Sequence, residues 1–131
     1  MYTFKKEERL CSKKLLDKLF HNGSSFLVYP FRVVSIPETL EVNSPAQVVI
    51  AVSKRKFKHA VDRNLIKRKV REAYRLNKET LLYSFLREKR LNLLIGIHYI
   101  GKEIPEYQFV EKKLKLALAR LIDSYTNDES N

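Results

Sequence analysis

Residues 54–78 hold eleven of the chain's Lys and Arg side chains and two acids, Asp62 and Glu72. That is a net charge of +9 in a protein whose total is +11, while the remainder carries 15 basic and 13 acidic groups. A segment so charged can turn at most one face to a core. Its second half, 62–78, has the period that provides one. At 100° per residue, Ile66, Val70 and Ala73 share a face with Tyr74 at its margin, while Arg63, Lys67, Arg71 and Lys78 line another beside Asn64, Arg68 and Arg75. Like charges four residues apart destabilise a helix by roughly 0.2–0.5 kcal/mol per pair. Repeating that arrangement makes sense when phosphates neutralise it, whereas a merely solvated face would carry pairing acids. A membrane-surface helix would carry Trp, Phe or Leu on its apolar side, which this one lacks. Arg and Lys with an Asn among them suit a nucleic-acid backbone, where Asn can also bond a sugar or base edge.

The chain has 131 residues, 44% hydrophobic and 31% charged, with three Gly and four Pro. This predicts one globular domain over residues 1–123, followed by a polar tail, 124–131, that frays. A single cysteine, Cys11, makes neither an internal disulfide nor a multi-thiolate metal site, so a reducing cytoplasm is expected. The opening MYTFKKEERL has no apolar signal-peptide core, and the longest apolar run, 91–100, is interrupted and about half the length of a bilayer span.

Along the chain, residues 12–22 read as an amphipathic helix carrying Leu15, Leu16, Leu19 and Phe20, with Ser12 as N-cap and Gly23 as stop. Residues 26–36 are rich in β-branched and aromatic side chains, with Pro30 marking an edge or a bend. Residues 47–53 form a short strand, and the two strands are expected to pair as a hairpin across the 37–45 loop. Helical spacing then covers 62–78 and continues to 91. Residues 92–100 are a third strand, and a last helix covers about 106–123. The expected order is α-β-β-α-β-α, an α+β domain with a mixed sheet packed by helices.

The stretch AVSKRKFKHAVDRNLIKRKVREAYR, residues 51–75, resembles the signature of the bacterial ribonuclease P protein subunit. That family has an Arg-Asn-Arg-x-x-Lys-Arg core on its second helix after a Val-Ser-Lys strand end. Here Arg63, Asn64, Lys67 and Arg68 match, and Leu65 replaces the second Arg. Phe4-x-x-x-x-Arg9-Leu10, Phe20-x-x-Gly23 and the aromatic strand around Phe31 fit as well, and the connection 54–59 is about one residue longer than usual. The resemblance implies a compact α+β fold with a left-handed β-α-β crossover, as in ribosomal-protein-like domains. It also implies a protein that binds a large catalytic RNA and helps it remove the 5′ leader of precursor tRNA.

In that family the RNA and its bound Mg²⁺ carry out the hydrolysis, with no organic cofactor, no protein catalytic residue and no protein metal site. DNA, a membrane and protein oligomerisation are not required. Two surfaces are implied. Arg63, Asn64, Lys67, Arg68 and Arg71 would dock the catalytic RNA. Leu16, Phe20, Phe31, Arg32, Val34, Ala51, Ser53 and Lys54 would line a cleft for the single-stranded leader, although Phe20 equally suits core packing and Leu16 suits the core better than contact. The residues agree with this division of labour: His21, His59 and His98 are isolated, there is no Gly-rich phosphate loop, and the acids are scattered. A ribosomal or ribosome-assembly protein of similar fold is the alternative reading. A stand-alone nuclease lacks a catalytic constellation, and nothing suggests a helix-turn-helix DNA-binding dimer.

Overall fold

The computed structural model describes residues 4–40 and 43–129, with side chains to residue 126. A 3₁₀ turn (Lys6–Glu8) leads into α1 (Lys13–Asn22), β1 (Ser24–Val28), β2 (Phe31–Pro37), β3 (Ala46–Val52) and α2 (Ala60–Lys78). A π-helical turn (Glu79–Tyr83) then runs into α3 (Ser84–Lys89), followed by β4 (Leu93–Tyr99) and α4 (Tyr107–Glu129). The sheet order is β1-β2-β4-β3. β2 pairs antiparallel with both β1 and β4, while β3 runs parallel to β4.

The fold class is as expected, with two corrections. The expected single strand 26–36 is itself a hairpin. Pro30, which has no N–H to give a ladder, sits in its turn, and β1 folds back so that Val28 faces Phe31 and Ser24 faces Ser35. The expected pairing of this segment with 47–53 does not occur, because β4 lies between them. The reason is burial: Leu93, Leu94, Ile95, Gly96, Ile97 and Tyr99 are all buried, so this strand must be covered on both faces and takes a central place. The last helix also runs past 123 to Glu129.

The sheet has two unlike faces. One carries Phe31, Val33, Val48, Ile95 and Ile97 against Ile66, Val70, Ala73 and Tyr74 of α2 and Val110, Leu114, Ala117 and Leu118 of α4. This is the main core. The other carries a small cluster of Leu10, Val34 and Leu94 under Leu19 of α1. Ser12 caps α1, its Oγ accepting from the Leu15 N–H at 3.3 Å, and the Gly23 N–H donates to the Leu19 carbonyl at 2.8 Å. At Gly23 a Cβ would meet the Leu19 carbonyl at 2.5 Å and Val34 at 2.8 Å, so only glycine lets the chain leave α1 this close to β2. With ten residues, α1 covers only part of its sheet face.

Candidate nucleic-acid interface

The uncovered part of that face, called the groove below, leaves Arg32 exposed and His98 and Ala51 half-buried. Strand alternation turns Leu94, Gly96 and His98 of β4 toward α1, and the register sets Arg32 of β2 on one side of His98 and Ala51 of β3 on the other. Phe20, on the last turn of α1, is 47% exposed and lies across His98 with ring centroids 5.4 Å apart and planes tilted by 44°. Gly96 makes this approach possible: a Cβ there would meet Val34 at 2.8 Å and Phe20 at 3.3 Å. Burial, with Arg32 adding to it, holds the His98 imidazole below its ordinary pKa. The Nε2 atom of His98 is buried without a hydrogen-bond partner.

Of the residues expected in a cleft, the structure brings Phe20, Arg32 and Ala51 together at this surface. Val34 forms its buried floor, and Leu16 is half-buried at the edge of the α1 cluster. Ser53 and Lys54 continue from the end of β3, where the Ser53 Oγ accepts from the Arg55 and Lys56 N–H groups at 3.2 and 3.3 Å. Phe31 does not join them. It is completely buried on the opposite face, packed edge-on against Tyr99 at 5.9 Å, because it is one residue out of step with Arg32. Gly96 and His98 are the groove residues that sequence reading missed. Their signal was a glycine and a histidine at alternate positions of an otherwise apolar strand.

The turn 53–59 joins this groove to α2, and Lys54, Arg55, Lys56 and Lys58 are all exposed on it. Arg63 holds the turn in place, its Nη1 donating to the Phe57 and Lys58 carbonyls at 2.8 and 2.9 Å. Beyond it Asn64, Arg68 and Arg71 are exposed and Lys67 is half-buried. Among the described residues none of Arg63, Lys67, Arg68 or Arg71 takes part in an ion pair. Lys78 departs from the expected stripe. It is 2% exposed, paired with the Glu8 carboxylate, and packed against the rings of Phe4 and Tyr83. The wheel put it with the cations because it sees only spacing, and the N-terminal segment that covers this end of α2 arrives from 70 residues away.

Among the described residues no group of three or more His, Cys, Asp and Glu is placed to hold a metal ion. No described helix is long and apolar enough to cross a membrane. The interface offers cations, hydrogen-bond donors and one exposed aromatic ring, which is the chemistry of binding.

The comparisons agree with this reading. Residues 4–120 match the family model described as Ribonuclease P. The chain is similar to the ribonuclease P protein component of Porphyromonas gingivalis, 35% identical over 120 residues that cover 92% of this chain and 87% of that protein. It is also similar to the component of Chlorobium phaeobacteroides, 34% identical, covering 86% of this chain and 83% of that one. Among solved structures, the RNase P protein of Thermotoga maritima shares the fold with a TM-score of 0.68 at 24% identity, covering 86% of this chain and 96% of that one. With the half-covered sheet face, the exposed cations of α2 and this similarity over nearly the whole length, the chain belongs to the ribonuclease P protein family.

Proposed function

We propose that this ribonuclease P protein component, acting in tRNA 5′ processing, binds two RNA elements at once. The face of α2 docks the catalytic RNA through Arg68, Arg71, Lys67 and Asn64, with Arg63 both holding the basic turn and standing at the edge of that face. The groove under Phe20 takes the single-stranded 5′ leader of precursor tRNA. One observation carries this reading: a half-covered sheet face, with an exposed ring and Arg32, is joined by an exposed basic turn to α2, on which Asn64, Arg68 and Arg71 are exposed.

The division of roles follows from chemistry. Phosphate contacts position a polyanion and give affinity that falls steeply with salt, while an exposed ring offers a sequence-tolerant platform worth roughly 1–3 kcal/mol per stacked base. The RNA, with its Mg²⁺, supplies the chemistry. The protein's residues bind, align the leader, and reduce the repulsion between two polyanions. This places the work in the cytoplasm and requires neither a membrane nor a second copy of the chain.

Reconstitution tests the reading. A bacterial ribonuclease P RNA and a 5′-extended precursor tRNA are combined at low millimolar Mg²⁺, and leader release is followed with and without the protein. Strong activation that needs both RNA and protein is expected. Tight RNA binding with no activation of a cognate RNA would reject the leader-processing role.

A further inference from the structure

We infer that His98 reads a nucleotide: its Nε2 hydrogen-bonds the polar edge of an unstacked nucleobase that enters the groove against Phe20. The inference deepens the leader-binding reading above and rests on it.

Among the described residues, Nε2 of His98 is the one buried side-chain polar atom with no hydrogen-bond partner. The side chains beside it, Phe20 in ring contact and Arg32 across the ladder, are both exposed at the surface. A buried polar atom left unpaired is costly, so a ligand that supplies the missing partner recovers that cost on binding.

The chemistry of the partner follows from charge. The imidazole is kept neutral by burial and by the guanidinium of Arg32, so it is a poor phosphate ligand. Arg32, exposed and directly opposite in the sheet, fills that role. A neutral ring nitrogen beside an exposed aromatic matches the neutral donors and acceptors along a base edge, with the base face left for Phe20. Arg32 would then anchor the backbone, Phe20 the base plane, and His98 the base edge.

The test uses the reconstituted RNA–protein enzyme and precursor tRNAs with and without a leader of about eight nucleotides, a length within the span of small single-strand sites. His98→Leu keeps the bulk and removes the hydrogen bond, while His98→Gln keeps a polar group. The expected result for His98→Leu is an affinity gain from the leader about fivefold smaller than in the wild type. His98→Gln should restore most of that gain. The slope of affinity against salt should be unchanged in both, since no charge is lost.

Abasic substitutions walked along the leader should weaken wild-type binding at one position where His98→Leu is indifferent. That profile compares two leaders on one variant and so does not depend on the variant's stability. An unchanged leader gain and the wild-type abasic profile in His98→Leu, with the gain lost in Phe20→Ala, would overturn the role of His98 and leave the groove reading intact. No leader gain in the wild type would overturn the groove reading itself.

Discussion

At Lys78 the buried ammonium meets a Glu8 carboxylate that also accepts from the Tyr83 hydroxyl and the Lys5 N–H, both at 2.7 Å. Burial pushes the Glu8 carboxyl up, but Lys78, Lys5 and Tyr83 together bring it below its ordinary value of 4.5. A group held below its unfolded value adds stability that is present above that value and lost as pH falls through the folded one. Wild-type unfolding free energy should therefore drop below about pH 4.5 more steeply than that of Glu8→Gln. Removing one partner alone, as in Lys78→Met, should cost about 3–5 kcal/mol in urea unfolding, because it strands a buried charge. A loss under 1 kcal/mol would show that water reaches the pair. Gly96 is a second sensitive residue. Gly96→Ala should cost about 1–3 kcal/mol, since Val34 and Phe20 must both give way, and it should weaken leader binding with them. Equal stability with unaltered leader affinity would mean that α1 is not held where the structure has it.

At the level of elements, α2 combines two kinds of arginine that periodicity cannot distinguish. Arg68 is exposed, and Arg68→Ala should leave the melting temperature unchanged while lowering the salt slope of RNA binding by about 0.7–0.9. Arg63 bonds two carbonyls of the connecting turn, so Arg63→Ala should also destabilise the free protein, by about 1 kcal/mol. If both variants melt alike and shift the slope alike, the turn is not anchored by Arg63. The hairpin β1–β2 shows a similar limit. Composition marked 26–36 as extended and Pro30 as a break, yet whether a break ends a strand, bends it or reverses it depends on what the two halves can pair with. At the end of α3, Arg90 takes a left-handed conformation with φ of 54°, which favours glycine. Arg90→Gly should raise unfolding free energy by about 0.5–1 kcal/mol, and a decrease would indicate that the Arg90 side chain contributes contacts worth more than the backbone cost.

For the whole molecule, the +11 charge is the property on which the proposed role between two RNAs rests. A cationic protein between two polyanions substitutes for part of their counterion demand. Leader release should depend on the protein at low millimolar Mg²⁺ and become nearly independent of it at high Mg²⁺, with the gain shrinking as monovalent salt rises. A protein effect of equal size at all Mg²⁺ levels would separate its action from electrostatics. The cationic helix, the α+β class and the positions of α1, α2, β3, β4 and α4 were determined by sequence alone, because hydrophobic period, caps and charge density act within one element. Arg32, Phe20 and Ala51 were likewise within reach of the family motif. Tertiary structure decided the rest: β4 entered between β2 and β3, Phe31 turned into the core, Lys78 was buried under Glu8, and His98 came beneath Phe20. Each of these depends on which surface a distant segment covers, and burial and charge pairing across the fold are set by packing partners that no local pattern records.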